Sequence, residues 1–149
     1  MTRSTFLLSL LLLSACTAIE KQGYTGPERP STEIALLESV GDLGFRIDRT
    51  VNNQRPTAFL MKINDLEVGT TSYGFPRRTR ALPGRTSLEL YCALPNTVRD
   101  PSQPLPAGRG TPYTYSIHTI NADLAAGKHY ALRCEPIANY KVRFWIEEM

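Results

Sequence analysis

The densest group of chemistry-bearing side chains is Arg77-Arg78-Thr79-Arg80, with Arg85 beyond a turn. A guanidinium stays charged and presents a planar fork of N–H donors, which matches phosphate and carboxylate. Arg77, Arg78, Arg80 and Arg85 therefore suit an anionic ligand: lipid A phosphates, phospholipid head groups, a glycan or an acidic partner. The same residues equally suit a solvated edge strand, where charge keeps foreign strands from pairing. Other reactive constellations are thin. His118 and His129 are the only histidines and neither has a partner at metal-ligand spacing, so no metal and no cofactor is expected. His118 is expected on the solvent side of a strand, away from the face shared by Tyr113, Tyr115 and Ile117, and His129 is expected exposed after a turn. The Gly-x-Ser-x-Gly elbow is absent. Gly108-Arg109-Gly110 lacks the further glycines of a nucleotide loop. Glu147 and Glu148 are adjacent and would point to opposite faces of a strand, which suits a solvated tail better than an acid–base pair. Neither an enzyme nor a small-molecule substrate is expected.

The first residues carry an address. Arg3 gives a positive start, Phe6 to Leu13 form an apolar stretch interrupted only by Ser9, and small Ser14 and Ala15 follow. That three-part layout is a secretory signal, predicted to span residues 1–15. Its eight apolar-core residues would cover only about 12 Å as a helix, well short of the roughly 30 Å hydrocarbon layer. The junction Leu13-Ser14-Ala15-Cys16 resembles the lipobox of bacterial lipoproteins. The resemblance implies that the Cys16 thiol takes a diacylglyceryl group, that cleavage makes Cys16 the first residue, and that its amine is acylated too, commonly as palmitate. Two or more acyl chains anchor lastingly where a single chain binds reversibly. Thr17, rather than Asp, follows the cysteine, which fits sorting to the outer membrane on its periplasmic route.

Cys92 and Cys134 remain, an even number in a chain expected to reach an oxidising compartment, and they read as one disulfide. The alternative is two unpaired buried thiols. Both cysteines lie at the downstream ends of candidate strands, with one strand running back between them. In a simple meander those strands would stand about 9.5 Å apart, yet a disulfide needs Cα atoms within about 7 Å. The pair therefore predicts strands facing each other across two sheets, or direct parallel pairing, with the cross-sheet arrangement preferred.

Residues 16–30 read as the lipidated cysteine and a Gly- and Pro-containing tether, which at about 3.1 Å per residue could reach roughly 40 Å. Docking of Tyr24 on the domain would shorten that reach. From Ser31, short apolar or alternating runs recur between turn signals. Glu33 to Leu37 is taken as a strand, although Ser31-Thr32, Ile34, Leu37 and Gly41 also fit a short helix. Gly44 to Arg49 alternates, with Phe45 and Ile47 inward. Ala58 to Ile63 is followed by a turn at Asn64-Asp65 and by Leu66-Glu67-Val68. Leu82-Pro83-Gly84 marks a turn, after which Leu88, Leu90 and Cys92 share one face. The stretch 95–112 is a Pro- and Gly-rich loop. Tyr113 to Ile120 is β-branched and aromatic, Ala125-Ala126-Gly127 is a break, Tyr130, Leu132 and Cys134 alternate, and Val142, Phe144 and Ile146 form the last core face. Tyr73, Tyr113 and Tyr115 suit an amphipathic contact surface or a core equally well.

The chain has 149 residues, 42% of them hydrophobic and 21% charged, enough for one domain and too few for a multidomain enzyme. A net charge of +3 without a long basic run argues against nucleic-acid binding. Cys16, Tyr24-x-Gly26-Pro27, Glu33-Ile34-Ala35, Leu82-Pro83-Gly84 and Ala126-Gly127-x-x-Tyr130-x-Leu132 together resemble a loose group of small proteobacterial lipoproteins of undefined function. The resemblance implies a β-sandwich of immunoglobulin-like or transthyretin-like kind and brings no catalytic residues. Arg49 departs from it where Gly is expected. The fold read from the chain is all-β, with about seven or eight strands over residues 31–149. The expected role is that of a membrane-anchored, non-catalytic envelope lipoprotein whose β domain binds or scaffolds another envelope component. The alternative is a binding module for an anionic lipid or glycan.

Overall fold

The computed structural model describes residues 20–40, 56–70, 74–94, 114–137 and 141–149. The expectations for the leader 1–15, Cys16, the 44–49 strand with Phe45 and Ile47, the 95–112 loop, Tyr73 and Tyr113 lie outside the described residues. Nearly everything described is strand: β1 (Glu20–Gln22), β2 (Ala35–Ser39), β3 (Thr57–Ile63), β4 (Leu66–Glu67), β5 (Arg78–Ala81), β6 (Gly84–Leu94), β7 (Thr114–Leu124), β8 (His129–Ile137) and β9 (Lys141–Glu148). A short 3-10 turn at Ser31–Glu33 precedes β2. The strand reading of the 33–37 segment thus holds, with its start moved to Ala35.

The strands form two sheets, ordered β1-β5-β2-β8-β9 and β4-β3-β6-β7. The second is antiparallel throughout, while the first has parallel pairs at β1–β5 and β2–β8. The sheets pack face to face as an all-β sandwich. Period-2 alternation decides what lies between them. Leu88, Leu90 and Cys92 project inward from β6, Ala35 and Leu37 from β2, Leu132 and Cys134 from β8, and Phe144 from β9. In β3, Ala58, Leu60 and Ile63 are all inward despite their odd spacing, because the register slips between Leu60 and Lys62. A bulge at Met61 absorbs the extra residue. Asn64 then takes a left-handed φ of 51° in the β3–β4 turn, as Asn readily does. Its Oδ1 accepts from the Ser87 N–H at 3.0 Å, which locks the turn to β6.

β7 pairs with β6, and the chain crosses to the other sheet at Ala125–Lys128 before β8 begins. Gly127 sits in that crossing with φ +72°, a conformation that glycine adopts without steric cost. Cys92 and Cys134 therefore face each other across the sandwich and are joined by a disulfide. A second apolar cluster covers the outer face of the β4-β3-β6-β7 sheet. Phe59 stacks on Phe75 at 4.7 Å and Phe75 on Tyr91 at 5.4 Å between ring centroids.

Two expectations need correction here. Residues from Glu20 onward are docked rather than tethered. β1 lies parallel against β5, and Tyr24 is buried with its hydroxyl accepting from the Arg29 N–H. Gly23 fits so closely that a Cβ there would stand 2.4 Å from the Ile63 side chain and 2.8 Å from that of Thr79. On β7, the inward side is the His118, Ile120, Ala122, Leu124 set, while Ile117 is 48% exposed on the outside. The apolar weight at 120, 122 and 124 outvotes the aromatic run at the start of the strand. His118 is exposed, and its ring stacks on Phe144 from the edge of the inner face.

Candidate functional site

The charged residues that the structure brings together lie on the outer face of the five-stranded sheet. β5 reads Arg-Thr-Arg-Ala, and Thr79 and Ala81 take its buried positions, so Arg78 and Arg80 project outward. The antiparallel register sets Glu38 opposite Arg78 and Leu36 opposite Arg80. The parallel register on the other side of β2 sets Leu36 opposite His129. Glu38 thus stands on a central strand with basic side chains on both flanks. Arg77 joins from just before β5, where its carbonyl accepts from the Ser39 N–H at 2.9 Å.

The contacts converge on one carboxylate. Arg77 Nε donates to Glu38 Oε1 at 3.2 Å, and Arg78 Nε donates to Glu38 Oε2 at 3.2 Å. His129 Nε2 lies 2.9 Å from Oε2. It lacks the alignment of a hydrogen bond, and this buried nitrogen has no hydrogen-bond partner among the described residues. The contact is a close approach of imidazole to carboxylate rather than a hydrogen bond. The Glu38 side chain is only 8% exposed, whereas those of Arg77 and Arg78 are 49% and 40% exposed. The carboxylate forms a floor and the guanidinium groups a rim. A charge shielded from water is costly unless paired, and two cations on one carboxylate supply that pairing. Each arginine is engaged through Nε, which leaves the terminal Nη groups of both without partners among the described residues.

The remaining arginines are placed apart from this pair. Arg80 Nη1 donates to Glu28 Oε1 at 2.7 Å and stands 3.5 Å from Glu20 Oε1, while its Nη2 donates to the Arg29 carbonyl. It fastens the N-terminal segment to β5. Arg85 belongs to β6 in the other sheet, opposite Asp123. Of the four arginines singled out in the sequence, only Arg77 and Arg78 share a partner among the described residues.

His129 is half-buried beside Glu38, which corrects the expectation that it is exposed. Parallel pairing of β8 with β2 turns its ring onto the sheet face. Glu38 itself has no local signature in the sequence. It lies 39 positions from Arg77, and only the β2–β5 register brings the two together. Elsewhere on this face charges pair singly, with Arg133 on Glu147, Arg143 on Glu135, and the Arg143 guanidinium 5.1 Å from the Trp145 ring centroid. Each Glu38 oxygen already accepts from a guanidinium, so the arrangement is suited to holding charge in place rather than to moving a proton. Among the described residues no group of three or more His, Cys, Asp and Glu side chains could hold a metal ion. In comparisons with known proteins, no family model, curated protein or solved structure matches the chain.

Proposed function

We propose that the protein is a lipid-anchored, non-catalytic envelope protein, exported and tied to the outer membrane through Cys16, whose β-sandwich binds or scaffolds another envelope component. The observation that carries this reading is the disposition of the cysteines. Cys92 and Cys134 are joined to each other, which leaves Cys16 as the single cysteine outside the disulfide, directly after Leu13-Ser14-Ala15. A disulfide between buried positions is what an oxidising compartment permits, and a lone cysteine behind small residues and an apolar stretch is what lipid transfer requires. A role other than catalysis is supported by the occupation of Glu38, the carboxylate nearest an imidazole in this site. The experiment is mass spectrometry of the protein extracted from membranes of its native host. The expected N-terminal peptide begins at Cys16 and carries diacylglycerol on sulfur with an acylated amine. An unmodified N-terminus in the soluble fraction would overturn the proposal.

A second reading, an anion-binding module, is favoured at Arg77 and Arg78, whose Nη groups have no partner among the described residues. It is not favoured at Arg80, which Glu20 and Glu28 already engage, or at Arg85 on the other sheet.

A further inference from the structure

We propose that the rim formed by Arg77 and Arg78 is a membrane-apposed surface that takes the phosphate head groups of an anionic bilayer; this rests on lipidation at Cys16. The constraint is chain length. The first residue of β1 is Glu20, four steps from Cys16, and a fully extended chain covers at most about 14 Å in that distance. β1 is not free to swing. It is paired to β5 with Glu20 beside Arg78, its Lys21 ammonium donates to the Val68 carbonyl, and Gly23 is packed against Ile63 and Thr79. Adjacent strands stand about 4.8 Å apart, so the backbone of Arg78 lies within roughly 20 Å of the lipidated residue.

The charges at this end fit the bilayer. Among the described residues, Lys21, Arg29, Arg77, Arg78 and Arg80 stand against Glu20, Glu28 and Glu38, an excess of two positive charges. Arg80 is spent on internal pairing. Glu38 draws Arg77 and Arg78 together by their Nε atoms, so both side chains are held in place while their Nη forks have no partner among the described residues. A guanidinium fork accommodates two phosphate oxygens, and a positive charge near an anionic leaflet gains attraction that dies away within a Debye length. The short reach from Cys16 caps the separation at roughly 20 Å, about two Debye lengths, so the rim can settle against the leaflet, where the attraction acts. Glu38 is here a positioning residue and does not touch the lipid.

The test uses the native lipidated protein reconstituted into vesicles of phosphatidylcholine or of phosphatidylcholine mixed with phosphatidylglycerol. Arginine modification by phenylglyoxal is followed site by site in tryptic digests. The expected result is that Arg77 and Arg78 react about five-fold more slowly on the phosphatidylglycerol vesicles. That protection should vanish in about 1 M salt, where the Debye length shrinks to about 3 Å. Arg85 should react at one rate throughout. Equal reactivity of Arg77 and Arg78 on both vesicle types, or protection that survives 1 M salt, would overturn the inference. The same digests report the Cys16 peptide. A lipidated Cys16 without arginine protection refutes only the membrane-apposed rim, whereas an unmodified Cys16 refutes the anchor itself.

Discussion

Cys92 on β6 and Cys134 on β8 belong to different sheets, and their Cα atoms stand 6.1 Å apart across the core. The bond therefore ties the two layers together at a position where both cysteines are buried. Closing a loop of this size removes conformational freedom from the unfolded chain. Replacing both cysteines by alanine is expected to cost between about 2 and 4 kcal/mol. Urea unfolding of the wild type and the double variant, both folded at the outset, measures the difference. Equal midpoints would show that the covalent link adds nothing to the packing around it.

Glu38 and its two arginines should behave as one unit. Arg77→Ala or Arg78→Ala alone leaves the carboxylate with one guanidinium, and a half-exposed pair of this kind is worth about 1 kcal/mol or less. Removing both leaves a carboxylate shielded from water without either guanidinium and with only His129 beside it among the described residues, with an expected cost of about 3 kcal/mol. The double-variant loss should exceed the sum of the singles, as is usual for residues that share a partner. Simple additivity in denaturant titrations would contradict the shared-floor geometry.

Gly23 tests the docking of the N-terminal segment. Gly23→Ala places a methyl group inside the space of Ile63 and Thr79, and overpacking of this kind costs typically about 1–3 kcal/mol. β1 is short and lies at a sheet edge, so the strain should be relieved there first. Hydrogen exchange is expected to show lost protection from Lys21 to Tyr24 while β6 and β8 stay protected. Unchanged protection at β1 would mean that Gly23 is not pinched as described.

Lys128 lies beside Glu148, whose hydrogen bond and negative charge raise the lysine pKa above its ordinary value. The folded state therefore holds this proton more tightly than the unfolded chain does. The resulting contribution to stability is present below the ordinary lysine pKa and is lost as pH rises through the raised one. Glu148→Gln should return the Lys128 titration to the ordinary range in an NMR pH series, without altering the fold. A titration unchanged by that substitution would exclude Glu148 as the cause.

Much of the sandwich was legible because burial imposes a period of two on strands. Leu88, Leu90 and Cys92 announced the inner face of β6, and Val142, Phe144 and Ile146 that of β9. Strand spacing also excluded a disulfide across an intervening strand, leaving cross-sheet facing or parallel pairing, and the preferred cross-sheet arrangement is the one found. Where alternation is ambiguous, the pattern does not identify the buried face. β7 is patterned on both faces, and its side toward Ile117 proved to be the outer one. The Glu20–Pro30 segment has no apolar period at all. It is held by pairing of Glu20–Gln22 with β5 and by single side chains such as Tyr24, Arg80 and Gln22, which leave no periodic trace.

Local spacing along the chain determined most of the strands, which face of most of them is apolar, and which cysteine stands apart behind an apolar stretch. These depend on neighbours within a few positions, so a linear reading reaches them. The meeting of Glu38 with Arg77, Arg78 and His129 was decided only in three dimensions. It requires β2 to lie between β5 and β8 in two specific registers, and a shift of one residue in either would turn these side chains to the opposite face. Strand order and register are chosen by the collective packing of two sheets, and no local stretch of sequence contains that choice.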